Sequence, residues 1–185
     1  RAYYAQIFGN LVAITVNVPE AKIRGIELDG SVEPTDWLTI GGSITYTDAK
    51  FTDNIVEVVG NPAAEFDTYP DTPEWSGVAY ASIDAPLNDR LSLNLRGDLY
   101  AQSSTYFSST ALSLTRGAKI PAYEIVNFRL GIADERTGLT LAGIVKNAFD
   151  TTYYTGGVGF ANIFSLNTAV PGEPRTYMLE LGYKF

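Results

Sequence analysis

Apolar residues recur at every second position in one stretch of this sequence after another, a period that a strand converts into one greasy face and one wet face. At the end of the chain Tyr177, Leu179, Leu181, Tyr183 and Phe185 alternate with Met178, Glu180, Gly182 and Lys184. Leu91, Leu93, Leu95, Gly97 and Leu99 likewise oppose Ser92, Asn94, Arg96, Asp98 and Tyr100. The same pattern sets Ile26, Leu28 and Val32 against Glu27, Asp29, Ser31 and Glu33, and Leu38, Ile40, Ile44 and Tyr46 against Thr39, Ser43, Thr45 and Thr47. It returns in Val126, Phe128, Leu130 and Ile132, and again in Leu139, Leu141 and Val145. Two weaker strands are expected, one through Ala2 to Val16 with a bulge at Gly9-Asn10, the other from Trp75 to Ala85. The expectation is about eight strands and no helix, because nowhere do apolar residues recur at three and four between caps.

Connections separate this pattern from that of an ordinary β-sandwich. Glu33 to Trp37, Ala85 to Arg90 and Asp134 to Gly138 are short and rich in turn residues, whereas Asp53 to Glu74, Ser104 to Pro121 and Ala148 to Pro174 are long. Alternating short and long connections put tight turns at one end of a sheet and large loops at the other, as in outer-membrane barrels. Trp37, Trp75, Tyr183 and Phe185 fall at strand ends, where two interfacial girdles would stand.

Composition narrows the chemistry. The 185 residues include neither His nor Cys, which removes the Ser-His-Asp triad, the Cys nucleophile, the disulfide and the ordinary zinc site. Thirteen Lys and Arg against 21 Asp and Glu leave a net charge of −8, the wrong sign for a nucleic-acid partner. No spacing singles out two carboxylates for acid/base work, so no enzymatic activity, cofactor or bound metal is expected. The longest apolar run, Leu11 to Val16, has six residues and includes Thr15, far short of a spanning helix. A spanning strand needs only about 9 to 11 residues with one apolar face. A strand-like pattern begins almost at Arg1 without a basic and apolar leader, so a fragment of a longer chain is expected.

Three stretches carry a resemblance to TonB-dependent outer-membrane receptors. Val145-Lys146-Asn147-Ala148-Phe149-Asp150 with Tyr153-Tyr154 resembles that family's K-N-L-F-D-x-x-Y segment, with Ala148 where Leu is commonest. Pro171-Gly172-Glu173-Pro174-Arg175-Thr176-Tyr177 and the strand to Phe185 resemble its P-G-x-P-R-T-Y and Y-x-F terminus. Arg24-Gly25-Ile26-Glu27-Leu28, Pro34 to Thr39 and Tyr46-Thr47-Asp48-Ala49-Lys50-Phe51 resemble its G-x-E-L, P-x-x-x-L and Y-T-D-A-x-F patterns. The resemblance implies an antiparallel, up-and-down transmembrane β-barrel of roughly 22 strands around a plug, of which residues 1–185 would supply the C-terminal eight. A plug and a TonB box are not visible in the chain.

By the same resemblance the parent molecule would sit in the outer membrane of a Gram-negative bacterium. It would take up a scarce nutrient of the ferric siderophore, cobalamin or oligosaccharide class. Its partners would be outer-membrane lipid and lipopolysaccharide, the insertion machinery, the small nutrient ligand, and TonB through the plug region.

Candidate ligand contacts are Tyr106, Phe107, Arg116 and Lys119 in one long loop and Tyr153, Tyr154, Phe160 and Phe164 in the next. Aromatic rings on external loops suit a flat or amphipathic ligand, and the two cations suit an anionic chelate. The glycines Gly156, Gly157 and Gly159 read as flexible loop. Tyr177, Leu179, Leu181, Tyr183 and Phe185 are the expected assembly signal. The acidic loop with Asp53, Glu57, Glu65, Asp67, Asp71 and Glu74 reads as a solvated surface, its spacing fitting no calcium loop. Two rivals share the alternation: a complete eight-stranded outer-membrane barrel with a structural or adhesive role, and a soluble lipocalin-like binder with its apolar faces turned inward.

Overall fold

The computed structural model describes residues 2–7, 12–17, 20–53, 55–58, 61–66, 68–108, 117–160 and 166–184. In chain order the strands are β1 (Ala2–Ile7), β2 (Val12–Asn17), β3 (Glu20–Thr35), β4 (Leu38–Asp53), β5 (Ile55–Val58), β6 (Asn61–Glu65), β7 (Trp75–Pro86) and β8 (Leu91–Gln102). They continue with β9 (Thr105–Tyr106), β10 (Lys119–Ile120), β11 (Tyr123–Asp134), β12 (Leu139–Lys146), β13 (Tyr154–Phe160), β14 (Leu166–Pro171) and β15 (Thr176–Tyr183). Among the described residues there is no helix.

Seven strands build one antiparallel sheet in the order β15-β12-β11-β8-β7-β4-β3, a plain meander once the loop hairpins are set aside. Its registers carry a single parity across the whole wall. Ile44 lies opposite Leu28 on one side and Gly77 on the other, Ala79 opposite Leu99, and Leu99 opposite Val126. Phe128 then meets Val145, and Val145 meets Tyr177. Each residue of the apolar set therefore stands on the same face as the apolar sets of its neighbours, which a one-residue slip in any pair would have prevented. The opposite face carries Glu27, Asp29, Asp84, Arg96, Asp98, Arg129 and Glu180.

That apolar face is uncovered. Leu179 is 80% exposed, Leu181 74%, and Ile26 and Leu28 each 64%. Among the described residues the buried hydrophobic side chains are Phe66, Ala118, Ile120 and Ala142, far too few to hold a soluble sheet of this size. Along β7 the apolar positions from Trp75 to Ala85 span about 33 Å of strand. At a tilt of about 40° this is about 25 Å of height, the thickness of an outer-membrane apolar band.

All three long connections leave from one end of the sheet and all three tight turns from the other, as the alternation of lengths predicts. Two expectations are corrected. The single bulged strand expected through Ala2 to Val16 is a pair, β1 and β2, running from Ile7 opposite Val12 to Ala2 opposite Asn17. The glycines expected in flexible loop lie in β13, where Gly157 pairs with Ala169 and Gly159 with Asn167. The long connections thus contain hairpins of their own, β5-β6, β9-β10 and β13-β14. Edge strands β3 and β15 are not paired with each other, so the seven strands do not close into a small barrel.

The tight turn from Asp134 to Leu139 shows how the short end is held. Asp134 accepts from Arg90 Nε at 2.9 Å and from the Arg136 N–H at 3.1 Å. The bond from Arg90 above all holds the Asp134 carboxyl well below the usual carboxylate range. A carboxyl depressed in the folded state lends stability above its unfolded value of about 3.9 and loses it as pH falls further. The stability gap between wild type and Asp134→Asn, read by urea titration, is expected to shrink as pH drops from 5 toward 3. Gly138 closes this turn at φ +72°, and a Cβ there would strike the Lys184 carbonyl oxygen. Gly138→Val is expected to cost about 1 to 3 kcal/mol in the same titration.

Candidate functional site

At the long-loop end β4 continues past the apolar band, and residues 68–74 fold back onto it through a bond from the Thr47 N–H to the Glu74 carbonyl at 2.9 Å. Between them and the start of β9 lies a cavity of about 560 Å³, lined by Phe51, Tyr69, Tyr106, Lys50, Glu74 and Thr105 among others. Phe51 anchors its wall, with its ring centroid 5.8 Å from that of fully buried Phe66 and 5.3 Å from that of Tyr69. Thr105 is 6% exposed, and its hydroxyl finds no hydrogen-bond partner among the described residues. A buried hydroxyl left unpaired is costly to the fold. Asp71 joins the two loops, its N–H donating to the Tyr106 carbonyl at 2.7 Å.

Beside the cavity, tyrosines form a ladder from wall to loop. Tyr100 and Tyr123, facing each other's strands on the wet face, have ring centroids 5.9 Å apart, and Tyr123 and Tyr153 4.8 Å. At this outer end of β11, burial first and the neighbouring Tyr100 and Tyr153 second push the Tyr123 phenol up to about 12. Tyr123 is therefore neutral at physiological pH.

The loop beyond β12 is fixed by a polar clasp. Asn147, 3% exposed and at φ +47°, receives the Thr151 N–H on Oδ1 at 2.9 Å. Its Nδ2 donates to the Thr151 carbonyl at 2.9 Å and to the Glu173 carbonyl at 3.1 Å. Its own N–H donates to Asn127 Oδ1 at 3.0 Å. Asp150 accepts the Arg175 N–H at 3.0 Å, and Tyr153 Oη accepts the Glu173 N–H at 3.2 Å. Gly172 is required by close approach, since a Cβ there would fall inside the Tyr153 ring. The two terminal sequence patterns, 25 residues apart, are thus the two halves of one structure.

On the wet face below, charges are arranged in pairs. Arg96 and Arg129 are directly opposite across β8 and β11, an unfavourable arrangement by itself. Each is drawn away to a carboxylate, Arg96 to Asp98 at 2.7 Å and Arg129 to Glu180 at 2.8 Å. The Arg96 guanidinium also lies 4.3 Å from the Tyr80 ring centroid. Such exposed pairs hold side chains in place on a hydrated surface more than they stabilise the sheet.

An apolar outer face, a hydrated inner face, long loops at one end only and a clasp built from both terminal patterns are four features of one kind of wall. Residues 2–148 match the family described as TonB dependent receptor-like, beta-barrel. The chain belongs to this family. Among solved structures, BauA, the ferric preacinetobactin receptor of Acinetobacter baumannii, matches 98% of the chain with a TM-score of 0.67 at 19% identity. The ferripyoverdine receptor of the outer membrane of Pseudomonas aeruginosa matches 94% with a TM-score of 0.64, also at 19% identity. The chain spans 25% and 20% of the lengths of these two receptors. The fold is accordingly an antiparallel, up-and-down transmembrane β-barrel, of which this TonB-dependent receptor chain is a part.

In this receptor wall the expected ligand contacts separate into groups. Tyr106 lines the cavity, and Lys119 Nζ lies 6.0 Å from its ring centroid, the outer limit of a cation–π contact. Phe107 lies against Gly157 of β13, which joins the second and third long loops. Tyr153 is engaged by the clasp and the ladder, and Tyr154 opens β13 opposite Pro171. Arg116 and Phe164 lie outside the described residues, as do Phe185 and the side chain of Phe160. Tyr177, Leu179, Leu181 and Tyr183 all stand on the outward face of β15. Thr105 and Tyr69 had no place in the sequence reading, and Phe51 and Asn147 appeared there only as letters of the family-like patterns. Among the described residues no three carboxylates converge as metal ligands.

Proposed function

We propose that this chain forms wall and external loops of a receptor in the Gram-negative outer membrane that takes up a ferric siderophore with energy delivered through TonB. The observation that carries the reading is the cavity of about 560 Å³ at the long-loop end, where the rings of Phe51, Tyr69 and Tyr106 meet a cation. Rings stack on the flat face of an aromatic chelator, and Lys50 and Lys119 offer positive charge to an anionic complex. The solved receptors for ferric preacinetobactin and ferripyoverdine support the same ligand class. The resemblance of residues 171–185 to the family's last strands supports a position in the C-terminal part of the barrel. The remaining strands would close edges β3 and β15, because an unpaired backbone group in lipid costs several kcal/mol. TonB would act on the plug, and the outward stripe of β15 would be presented to the insertion machinery.

The test is equilibrium binding to the full receptor, read by tyrosine and tryptophan fluorescence, with a panel of ferric catecholate and hydroxamate chelates, cobalamin and maltooligosaccharides. Binding of a ferric chelate is expected, weakened at least tenfold in Tyr106→Ala/Lys119→Ala. Binding of cobalamin or sugar alone, or chelate binding unchanged in that variant, contradicts the assignment.

A further inference from the structure

Among the described residues, burial is concentrated in the long connections rather than in the wall. Phe66 in β6 is buried, as are Thr105, Ala118 and Ile120 in and beside the β9–β10 hairpin, whereas the seven-strand wall contributes only Ala142. Buried side chains mark a packed body, so the long connections form a cap with packing of its own. Its middle member is the β9–β10 hairpin, with Lys119 opposite Tyr106 and Ile120 opposite Thr105. On one side the hairpin is tied to the first long connection. The Asp71 N–H donates to the Tyr106 carbonyl at 2.7 Å, and the Thr68 hydroxyl to the Ser108 carbonyl at 3.5 Å. On the other side the Phe107 ring rests on Gly157 of β13, so closely that a Cβ on Gly157 would lie 2.7 Å from two of its ring carbons.

Tyr106 and Phe107 are consecutive, and an extended backbone sends consecutive side chains to opposite sides. Tyr106 accordingly lines the cavity of about 560 Å³, while Phe107 meets the third long connection. The Phe107 N–H donates to the Ala118 carbonyl at 3.1 Å, which fixes the backbone between the two rings. One short segment therefore meets the cavity with one ring, the third connection with the next, and the Asp71 amide with the carbonyl between them. A glycine inside a strand often marks a close approach, and Gly157 provides the seat that Phe107 uses.

We infer that Phe107 is a positioning residue for the cavity: seated on Gly157, its ring fixes the β9–β10 hairpin and thereby sets where Tyr106 stands and how firmly residues 68–74 are held beside it. The third long connection governs the first through the second. Phe107, expected from the sequence to be a ligand contact, is occupied by the protein's own β13 and acts on a ligand only through Tyr106 and Asp71. The coupling rests on packing alone, and its consequence for a ferric chelate rests on the proposed function.

Hydrogen exchange of the full receptor in detergent, read by mass spectrometry, tests the coupling, and fluorescence titration with ferric chelates tests its consequence. In Phe107→Ala the peptide containing the Asp71 amide is expected to exchange about tenfold faster, while peptides of β8 keep the wild-type rate. Chelate affinity is expected to fall about fivefold, because Tyr106 must then be ordered on binding. Phe107→Leu, which keeps an apolar group on Gly157, is expected to bring both within about twofold of wild type. Tyr106→Ala separates the two readouts: it should weaken binding and leave Asp71 exchange unchanged, since Asp71 bonds to the backbone carbonyl. Unchanged Asp71 exchange in Phe107→Ala, or no recovery in Phe107→Leu, overturns the inference. Should Phe107→Ala loosen β8 as well, Gly157→Ala decides, because its Cβ drives the ring off from the other side. Faster Asp71 exchange there with β8 unchanged upholds the coupling, and unchanged Asp71 exchange overturns it. A receptor that binds no ferric chelate defeats the proposed function, and the exchange rates then decide the coupling by themselves.

Discussion

Leu95→Arg in the full receptor is expected to cost about 2 to 4 kcal/mol of folding free energy, whereas Asn94→Lys, one residue away, is expected to stay within about 1 kcal/mol of wild type. Leu95 pairs with Ile83 and Leu130 near the middle of the apolar face, so a guanidinium there would sit at membrane mid-depth. Asn94 faces the other way and already donates to Asp84, so a lysine there gains a carboxylate in a hydrated lumen. Urea unfolding in lipid vesicles reads both numbers.

Asn147→Ala is the second large effect, at about 3 to 5 kcal/mol. The substitution removes three side-chain hydrogen bonds in a buried setting and leaves the Thr151 N–H and the carbonyls of Thr151 and Glu173 to find partners. It also puts a Cβ-bearing residue without a local polar contact at φ +47°, about 1 kcal/mol of the total. Asn147→Gly should therefore recover about 1 kcal/mol relative to alanine, since glycine adopts that backbone freely. Asp150→Ala, on the exposed side of the clasp, should cost less than either. Limited proteolysis between residues 148 and 175 should quicken in the same rank order. Equal stability of Asn147→Ala and wild type would mean that the clasp does not hold the loop to β12 and β15.

The wall was legible because its signal is local. Leu91 to Leu99 and Tyr177 to Tyr183 alternate without interruption, and period two can be read from any six residues. The orientation of the loops followed equally directly, because connection length alone sorts the two ends. The hairpins were not legible for a physical reason. Gly156, Gly157 and Gly159 have low strand propensity, and only pairing with Val170, Ala169 and Asn167 makes them a strand. Gly9-Asn10 carries a turn signal that suits a bulge as well as a hairpin, and the two differ only in which residues pair.

The site was legible to the extent that its residues lay in one loop. Tyr106 and Lys119 were found as neighbours in sequence and do approach each other. The cavity wall was missed because Phe51 and Tyr69 come from a different connection from Thr105, so no spacing links them. Asn147 was visible as a letter of a pattern, but its partner Glu173 is 26 residues away and its burial comes from the loop it organises.

The central claim is that one face of this sheet lies against lipid and the other against water, and the chain's lack of cysteine makes it directly measurable. Single cysteines placed one at a time from Leu91 to Gln102 in the full receptor, spin-labelled and reconstituted in bilayers, report access to oxygen, which concentrates in lipid, and to a water-soluble nickel chelate. Odd-numbered positions are predicted to favour oxygen and even-numbered positions the nickel chelate, alternating along the whole of β8. Access without period two, or the same alternation with lipid on the Asn94–Arg96–Asp98 side, would contradict the account.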